Sequence, residues 1–436
     1  MKHPYLLLPA LVWPLVAAGA PLTLEQATER ALAANPRLRA AQLEATASGN
    51  RTQAAVGRHF GELNLVGSYN HYNTERPIAP IALDYLGPKG FYGLPWAASQ
   101  FHYGIAWTVP ILASGQIMEG ERIARLSEKA AEAMALHTRQ EIRYNTRATF
   151  RQALTLHHAL VALESLTAAL GKDAADADLK VQVGSWASVE GAKVHFALES
   201  ARAQRDSVAA QERSTQALLA ALMGDPPPAE PLELQDIPQE PVVPEADVSG
   251  TYTAALAGRL DLRATQAGTA IFDRKKALAL ESYLPQVGLT GASLRNYGPG
   301  LDNYPSNEIN LNLKWTLFSG RQRSQAYHAA QADLQQALEK QKAKELEIQG
   351  QVTEAVERIR AAQAQLSAGK AQKDLGAEVA RVEHLKLEQG AGRMEDYLAA
   401  KAQELQGITG YWQGLYALQS AVDYRDFVCA QGEPHD

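Results

Sequence analysis

The side chains of this 436-residue chain that could do chemistry are few and scattered. His157-His158 and His137 stand in a long helical stretch, without acidic or cysteine neighbours at ligand spacing, so no metal site is expected. There is no G-x-S-x-G nucleophile turn and no G-x-x-x-x-G-K-[ST] phosphate loop. Neither hydrolysis nor nucleotide chemistry is expected, no cofactor is implied, and the chain does not read as an enzyme. The carboxylates say more. Glu190 lies just beyond Gly184, and Asp396 lies at the same distance beyond Gly390, with Glu395 and Arg393 beside it. Carboxylates gathered in a narrow ring bind cations and repel anions, and Arg393 is near enough in sequence to pair with one of them. The ordinary alternative for all four is a solvated helix start, where acids meet the helix dipole favourably. The glycine segments themselves, Gly184-Ser185-Trp186 and Gly390-Ala391-Gly392, read as tight turns that need glycine anyway. A Trp at such a turn is either an interface anchor or a side chain packed across the tip of an oligomer.

The elements that carry these residues occur twice. Pro36-Arg37-Leu38-Arg39-Ala40-Ala41-Gln42 recurs as Leu260-Asp261-Leu262-Arg263-Ala264-Thr265-Gln266, Ser114-Gly115-Gln116 as Ser319-Gly320-Arg321, and Gly184 as Gly390. A repeat of this size implies one architectural unit that was duplicated and packs beside its twin. The spacing between these markers is shorter in the second copy, as expected of a surface loop between paired strands. Each copy opens with a helix; in the first, Thr23 and Gln26 have capping-box spacing and Asn35-Pro36 predicts a break. Each copy then carries two runs that alternate with period two. The clearest are Ile309, Leu311, Leu313, Trp315 and Leu317, and Phe101, Tyr103, Ile105, Trp107 and Val109; Leu63-Leu65-Gly67-Tyr69 and Val287-Leu289-Gly291 are weaker. One face is apolar and the other polar, with Tyr69, Tyr72, Trp107 and Trp315 toward the strand ends. These are the marks of an outer-membrane barrel wall, although a soluble sheet with one wet face alternates in the same way. Four strands cannot close a pore, since the smallest bacterial barrels need about 8, so membrane-spanning strands require an oligomer. The inter-strand loops are expected near 74–98, with Phe91, Tyr92 and Trp96, and near 297–305.

Two long helices follow in each copy. Gln116 to about Lys180 and Arg321 to about Glu388 would each be ~100 Å long at 1.5 Å per residue. Ile348, Val352, Ala355, Ile359, Ala362 and Leu366 keep coiled-coil spacing. Beyond the glycine breaks, second helices end near Met223 and Val428. The organisation expected is a signal peptide over 1–20, a first repeat over 21–224, a proline-rich crossover over 225–248, a second repeat over 249–430 and a tail over 431–436. Pro226-Pro227-Pro228, Pro231, Pro238, Pro241 and Pro244 forbid a helix or central strand in the crossover.

Composition fits long, partly solvated helices: only 8 Phe are present. A net charge of −6 without a clustered basic face excludes nucleic acid as an expected partner. Lys2 and His3, an apolar run from Tyr5 to Ala17 and the A-x-A site Ala18-Gly19-Ala20 read as a secretory signal peptide. No cysteine follows the cleavage site, so lipidation is not expected, and the single Cys429 has no intramolecular disulfide partner. No later stretch approaches 18 consecutive apolar residues, so entry into a membrane is expected through strands alone.

In this order the chain closely resembles the TolC-like outer-membrane efflux protein family. The resemblance runs from about Leu22 to Cys429. It rests on Leu22-Thr23-Leu24-Glu25-Gln26-Ala27 with Ala33-Ala34-Asn35-Pro36, on Pro110-Ile111-Leu112-Ala113-Ser114-Gly115 and Leu317-Phe318-Ser319-Gly320 at the strand-to-helix passages, and on Val181-Gln182-Val183-Gly184-Ser185 and Leu387-Glu388-Gln389-Gly390-Ala391 at the hairpin tips. It implies a mostly α fold of long helical hairpins with four transmembrane β-strands per protomer, joined as a 12-stranded barrel in a homotrimer. It implies a passive export duct of a tripartite efflux pump or type I secretion system, spanning the outer membrane and extending into the periplasm. Partners would be a periplasmic adaptor protein, contacted at the hairpin tips, an inner-membrane transporter that supplies energy and chooses cargo, and outer membrane lipid. In family members, acids at the position of Asp396 line the constriction of a periplasmic gate. A second family aspartate, one turn further, is replaced here by Ala399, which thins that ring. The competing reading is a structural or adhesive envelope coiled-coil protein without a conducting pore, which leaves both the strand pairs and the duplication unexplained.

Overall fold

The computed structural model describes residues 21–78, 95–113, 115–243, 247–301 and 303–430. The signal peptide, Phe91 and Tyr92, Ser114, Pro244 and the tail 431–436 lie outside the described residues. The first repeat contains α1 (Leu24–Ala34), α2 (Pro36–Gly57), a short 3-10 turn (Arg58–Phe60), β1 (Glu62–Pro77), β2 (Trp96–Ala113), α3 (Gln116–Gln182) and α4 (Ser188–Met223). The second contains α5 (Val248–Gly258), α6 (Leu260–Glu281), β3 (Gln286–Tyr297), β4 (Tyr304–Lys314), α7 (Gln322–Glu388) and α8 (Met394–Val428). Helix lengths agree closely between the copies: 11 and 11, 22 and 22, 67 and 67, 36 and 35 residues. The strands do not. β1 and β2 have 16 and 18 residues against 12 and 11 for β3 and β4, so part of the extra length of the first copy lies in its strands and not in the loop alone.

Local sequence explains the joints. Thr23 and Gln26 form the expected reciprocal cap: the Gln26 amide donates to Thr23 Oγ1 at 3.1 Å and the Thr23 amide to Gln26 Oε1 at 3.2 Å. Asn35 is extended because it precedes Pro36. Its side chain accepts from the Arg37 amide at 2.9 Å, so the residue that ends α1 also caps α2.

The described residues form two compact units that cut across the repeats. One comprises 40–136 and 260–347 and contains the sheet. Its strands run antiparallel in the order β1-β2-β3-β4. The register aligns Leu63, Trp107, Gly291 and Ile309 across the sheet. One face therefore carries Leu63, Leu65, Ile105, Trp107, Ile309, Leu311 and Leu313, and the other Asn64, Thr108, Thr290, Asn310 and Asn312. The apolar face is bare: Leu65 is 84% exposed and Ile309 80%. Among the described residues β1 and β4 are unpaired edges. Aromatics mark both ends of the face. Tyr103 stacks on Tyr297 at 6.1 Å and Tyr69 meets Phe101 at 6.0 Å toward the loops. At the other end the Trp107 indole donates to the Phe60 carbonyl, and the Trp315 indole to that of Tyr283.

Three details of the strands correct the sequence reading. β4 ends at Lys314, so Trp315 and Leu317 lie beyond the ladder despite their alternation. Lys314 is paired with Gln286, the first residue of β3, and Pro285 before it has no amide to offer. Trp96 is not a loop residue but the start of β2, opposite Pro77. Trp107 lies inside β2, although it faces Leu63 near the start of β1.

The second unit comprises 21–39, 137–259 and 348–430 of the described residues. Its core joins Leu22, Leu24, Ala27, Ala31 and Leu38 to Ile142, Phe150 and Leu154 of α3, Leu219 and Met223 of α4, and Tyr416 of α8. The coiled-coil row behaves as its spacing predicts: Ile348, Val352, Ala355, Ile359, Ala362 and Leu366 are all buried. α3 contains one window apolar enough by composition to cross a bilayer, although it holds no unbroken apolar run. The burial of Leu154, Leu163 and Leu170 shows that much of its apolar side faces protein.

Candidate functional site: the hairpin tips

The two helical hairpins, α3–α4 and α7–α8, turn by the same backbone device. Gly184 and Gly390 adopt left-handed φ values of +75° and +70°. After each, two amides return to one carbonyl: Ser185 and Trp186 to Lys180 at 2.9 and 3.2 Å, Ala391 and Gly392 to Lys386 at 2.9 and 3.0 Å. Both ends are Schellman-type caps that satisfy the last helical carbonyls. The tips differ in one side chain, since Trp186 in the first copy stands where Gly392 does in the second.

Trp186 is not a free anchor. It is half-buried against a cluster built from Leu170, Ala174 and Ala177 of α3, Val194, Leu198 and Ala201 of α4, and Met394 and Tyr397 of α8. Lys180 Nζ lies 4.5 Å from the centre of its ring. Gly184, Ser185, Gly390 and Ala391 are exposed, and Gly392 is half-exposed. A side chain on Gly392 would meet the Leu387 amide nitrogen at 2.9 Å, so the second tip has room only for glycine there.

The acids predicted at the helix starts come together around a cation that the spacing did not single out. Lys193 Nζ lies 3.0 Å from Glu190 on its own helix and 2.8 Å from Glu395 on α8. It thereby ties one hairpin to the other. The hydrogen bonds to Glu395 and Glu190 hold the Lys193 ammonium above its ordinary range. The same bond, with Coulomb attraction to Lys193, holds the Glu395 carboxyl low. Arg393 is the N-cap residue of α8 and makes no side-chain cap bond. It is exposed and bonds to no carboxylate among the described residues, so the pairing expected of it falls to Lys193. Asp396 is also exposed, one residue beyond Glu395, and makes no polar contact among the described residues. Trp186, Glu190, Lys193, Leu387, Arg393 and Glu395 line an open cleft of about 440 Å³ between the two tips.

A second link lies deeper. Tyr397 of α8 is buried, and its hydroxyl donates to Asp173 of α3 at 2.8 Å. Burial pushes the phenol far above its ordinary range, and the bond to Asp173 adds to this. Nothing in the local sequence marks this pair, because its members are in different repeats. The histidines are not isolated either. His157 pairs with Glu212 at 3.1 Å and His158 with Asp236 at 3.2 Å, acids supplied by other segments. No group of three ligand-type side chains gathers among the described residues.

The arrangement offers no nucleophile, only exposed carboxylates, two inter-hairpin links and two glycine turns. Comparison with known proteins agrees with this. Residues 251–421 match the family model for outer membrane efflux protein. A search of curated protein sequences finds no match. Among solved structures, a membrane protein from Pseudomonas aeruginosa is similar at a TM-score of 0.81 and 16% identity, covering 93% of each chain. The CmeC outer membrane channel of Campylobacter jejuni is similar at 0.78 and 16%, covering 94% of this chain and 87% of that one. The outer membrane protein VceC of Vibrio cholerae is similar at 0.77 and 15%, covering 94% and 96%. The chain carries an outer membrane efflux protein domain over residues 251–421 and has the TolC-like fold along its described length.

Proposed function

We propose that the protein is the passive exit duct of a tripartite efflux pump or type I secretion system. The observation that carries this reading is the sheet. Four antiparallel strands with two free edges and one bare apolar face are an incomplete barrel wall. With an even strand number, β4 of one copy meets β1 of the next antiparallel, so identical copies close without a mismatch. Three copies make a 12-stranded barrel, above the minimum of about 8. The apolar face then meets outer-membrane lipid, aromatic residues lie at both of its borders, and the Asn- and Thr-rich face lines the lumen. The helical hairpins form the periplasmic part.

The tips serve as gate and docking site. Asp396, exposed and unpaired, supplies the carboxylate ring; Lys193 with Glu190 and Glu395 holds the closed arrangement, and Arg393 lies at the mouth. A periplasmic adaptor protein seats on Gly184, Ser185, Gly390, Ala391 and Gly392, with Trp186 supporting the turn from beneath. An inner-membrane transporter supplies the energy, and the duct itself performs no catalysis.

The test is to determine the mass of the detergent-extracted protein and then its conductance in planar bilayers. A trimer that conducts, with cation preference reduced in Asp396→Asn, is the expected result. A monomer without conductance overturns the duct. An unchanged reversal potential in Asp396→Asn removes that residue from the gate. Trp186→Ala is expected to weaken adaptor capture, and unaltered capture would remove Trp186 from the docking site.

A further inference from the structure

The proline-rich crossover is tied to all four long helices. It pairs with the start of the chain through Leu22, whose amide donates to the Glu233 carbonyl at 2.7 Å and whose carbonyl accepts from Gln235 at 2.8 Å. Gln216 of α4 accepts from the Leu232 amide at 2.8 Å. Gln419 of α8 donates to the carbonyls of Ile237 and Gln239 at 2.9 and 2.8 Å. Lys370 of α7 pairs with Glu240.

At the centre of this belt is a histidine. The ring of His158, on α3, lies flat on Trp412 of α8, with centroids 3.6 Å apart and planes within 5°. Its Nε2 is 3.2 Å from Asp236 Oδ1 and 3.3 Å from the Tyr416 hydroxyl. Tyr416 donates to the same Asp236 oxygen. An ionised carboxylate only accepts, so the imidazole carries its proton on Nε2 and already makes this bond while neutral. A second proton, on Nδ1, adds charge to a stacked ring without adding a bond to Asp236.

We propose that His158, Asp236 and Tyr416 form a pH-sensitive clasp: the neutral imidazole holds the crossover on the helices, and its protonation in mild acid loosens it. The groups facing the ring set the sign. On α3 stands His157, 6.0 Å away and paired with Glu212 of α4. On α7 stands Lys373, whose Nζ is 4.3 Å from the Tyr411 ring and 5.9 Å from that of Trp412. On α8 are Tyr411 and Tyr416, and on the crossover Asp236. Burial is the largest influence and opposes the charged ring; Asp236 favours it, and His157 and Lys373 oppose it. The folded imidazole is therefore held below its ordinary range. The unfolded or released histidine binds protons more readily, so the clasp's contribution is complete above about pH 6.5 and is lost as pH falls below it.

Hydrogen exchange of the full-length protein reads this directly. The amides of Leu232, Gln235 and Ile237 are all bonded in the closed belt. Their protection, corrected for intrinsic rates, is compared at about pH 7.5 and about pH 5.5, on either side of the ordinary imidazole pKa of about 6.5. The wild type is expected to lose protection several-fold in acid over 232–237. His158→Phe, which keeps an aromatic stack without a titrating group, is expected to show no such change; His158→Gln replaces it if the phenylalanine variant does not fold. An equal acid response in the variant, no response in the wild type, or an imidazole found charged near pH 7.5 by NMR overturns the clasp. None of these outcomes depends on whether the protein conducts.

Discussion

Lys193 is the residue on which the two hairpins of one protomer depend most directly, and it was only half visible in the sequence. Its spacing of three from Glu190 is that of a helical ion pair, but its bond to Glu395 joins residues 202 apart and needs the fold to appear. Removing it in Lys193→Ala is expected to raise the open fraction in planar bilayers, and added salt should act in the same direction because the pair is exposed. The pH window follows from the two shifts. A raised Lys193 contributes until pH climbs through its folded value, and a lowered Glu395 contributes until pH falls below about 4.3. The link should therefore be intact from mild acid to beyond pH 9, and an opening near neutral pH that persists in Lys193→Ala would belong to another group. The turn glycines make a second prediction. Nothing lies within 4 Å of a Cβ built on Gly184, so Gly184→Ala meets only the left-handed backbone. It should cost about 1–2 kcal/mol, read as a lower melting temperature, with Gly184→Asn closer to wild type.

Among the elements, α7 and α8 pack more closely than their polar surfaces suggest. A side chain on Gly414 would meet Leu366 Cα at 2.7 Å, and one on Gly407 the Gln372 carbonyl at 2.5 Å. These glycines are seven residues apart and let two backbones approach where the alanines and Leu366 form the seam. Gly414→Leu should overpack this contact, at about 1–3 kcal/mol or more, with a fall in thermal midpoint that Gly414→Ala shows in smaller measure. The long helices were legible because their ends are written locally, in Gly184, Gly390 and the prolines after Met223. The strands were legible as alternation but not in extent: Leu317 continues the pattern after the partner strand has stopped at Gln286. The links at the tips and the clasp at Asp236 were hidden because each joins segments remote in sequence, and no spacing rule reaches across a repeat.

At the scale of the molecule, a sheet with two free edges is the feature that a single chain cannot resolve alone. Leu311 and Leu313 stay about two-thirds exposed, far more apolar surface than one protomer leaves bare in water without a partner or lipid to cover it. Deleting pairing at the edge, as in Asn310→Pro on β4, is expected to shift the detergent-extracted protein from trimer to monomer by native mass spectrometry. The same substitution should leave the helical signal in circular dichroism nearly unchanged. A trimer that survives it would mean that the helices alone hold the copies together.

The equal helix lengths of the two repeats, 67 residues before each turn, make the hairpins a matched pair of rulers. The bond from Lys193 to Glu395 exists only while both rulers read the same. Seven residues added to α3 and α4 alone would carry Gly184 ~10 Å past Gly390 and leave Lys193 facing the side of α7. The same insertion in all four helices would restore the level. Changes of reach in such a protein are thus confined to coordinated steps, and any lineage that lengthened or shortened it had to edit both copies of its own duplication.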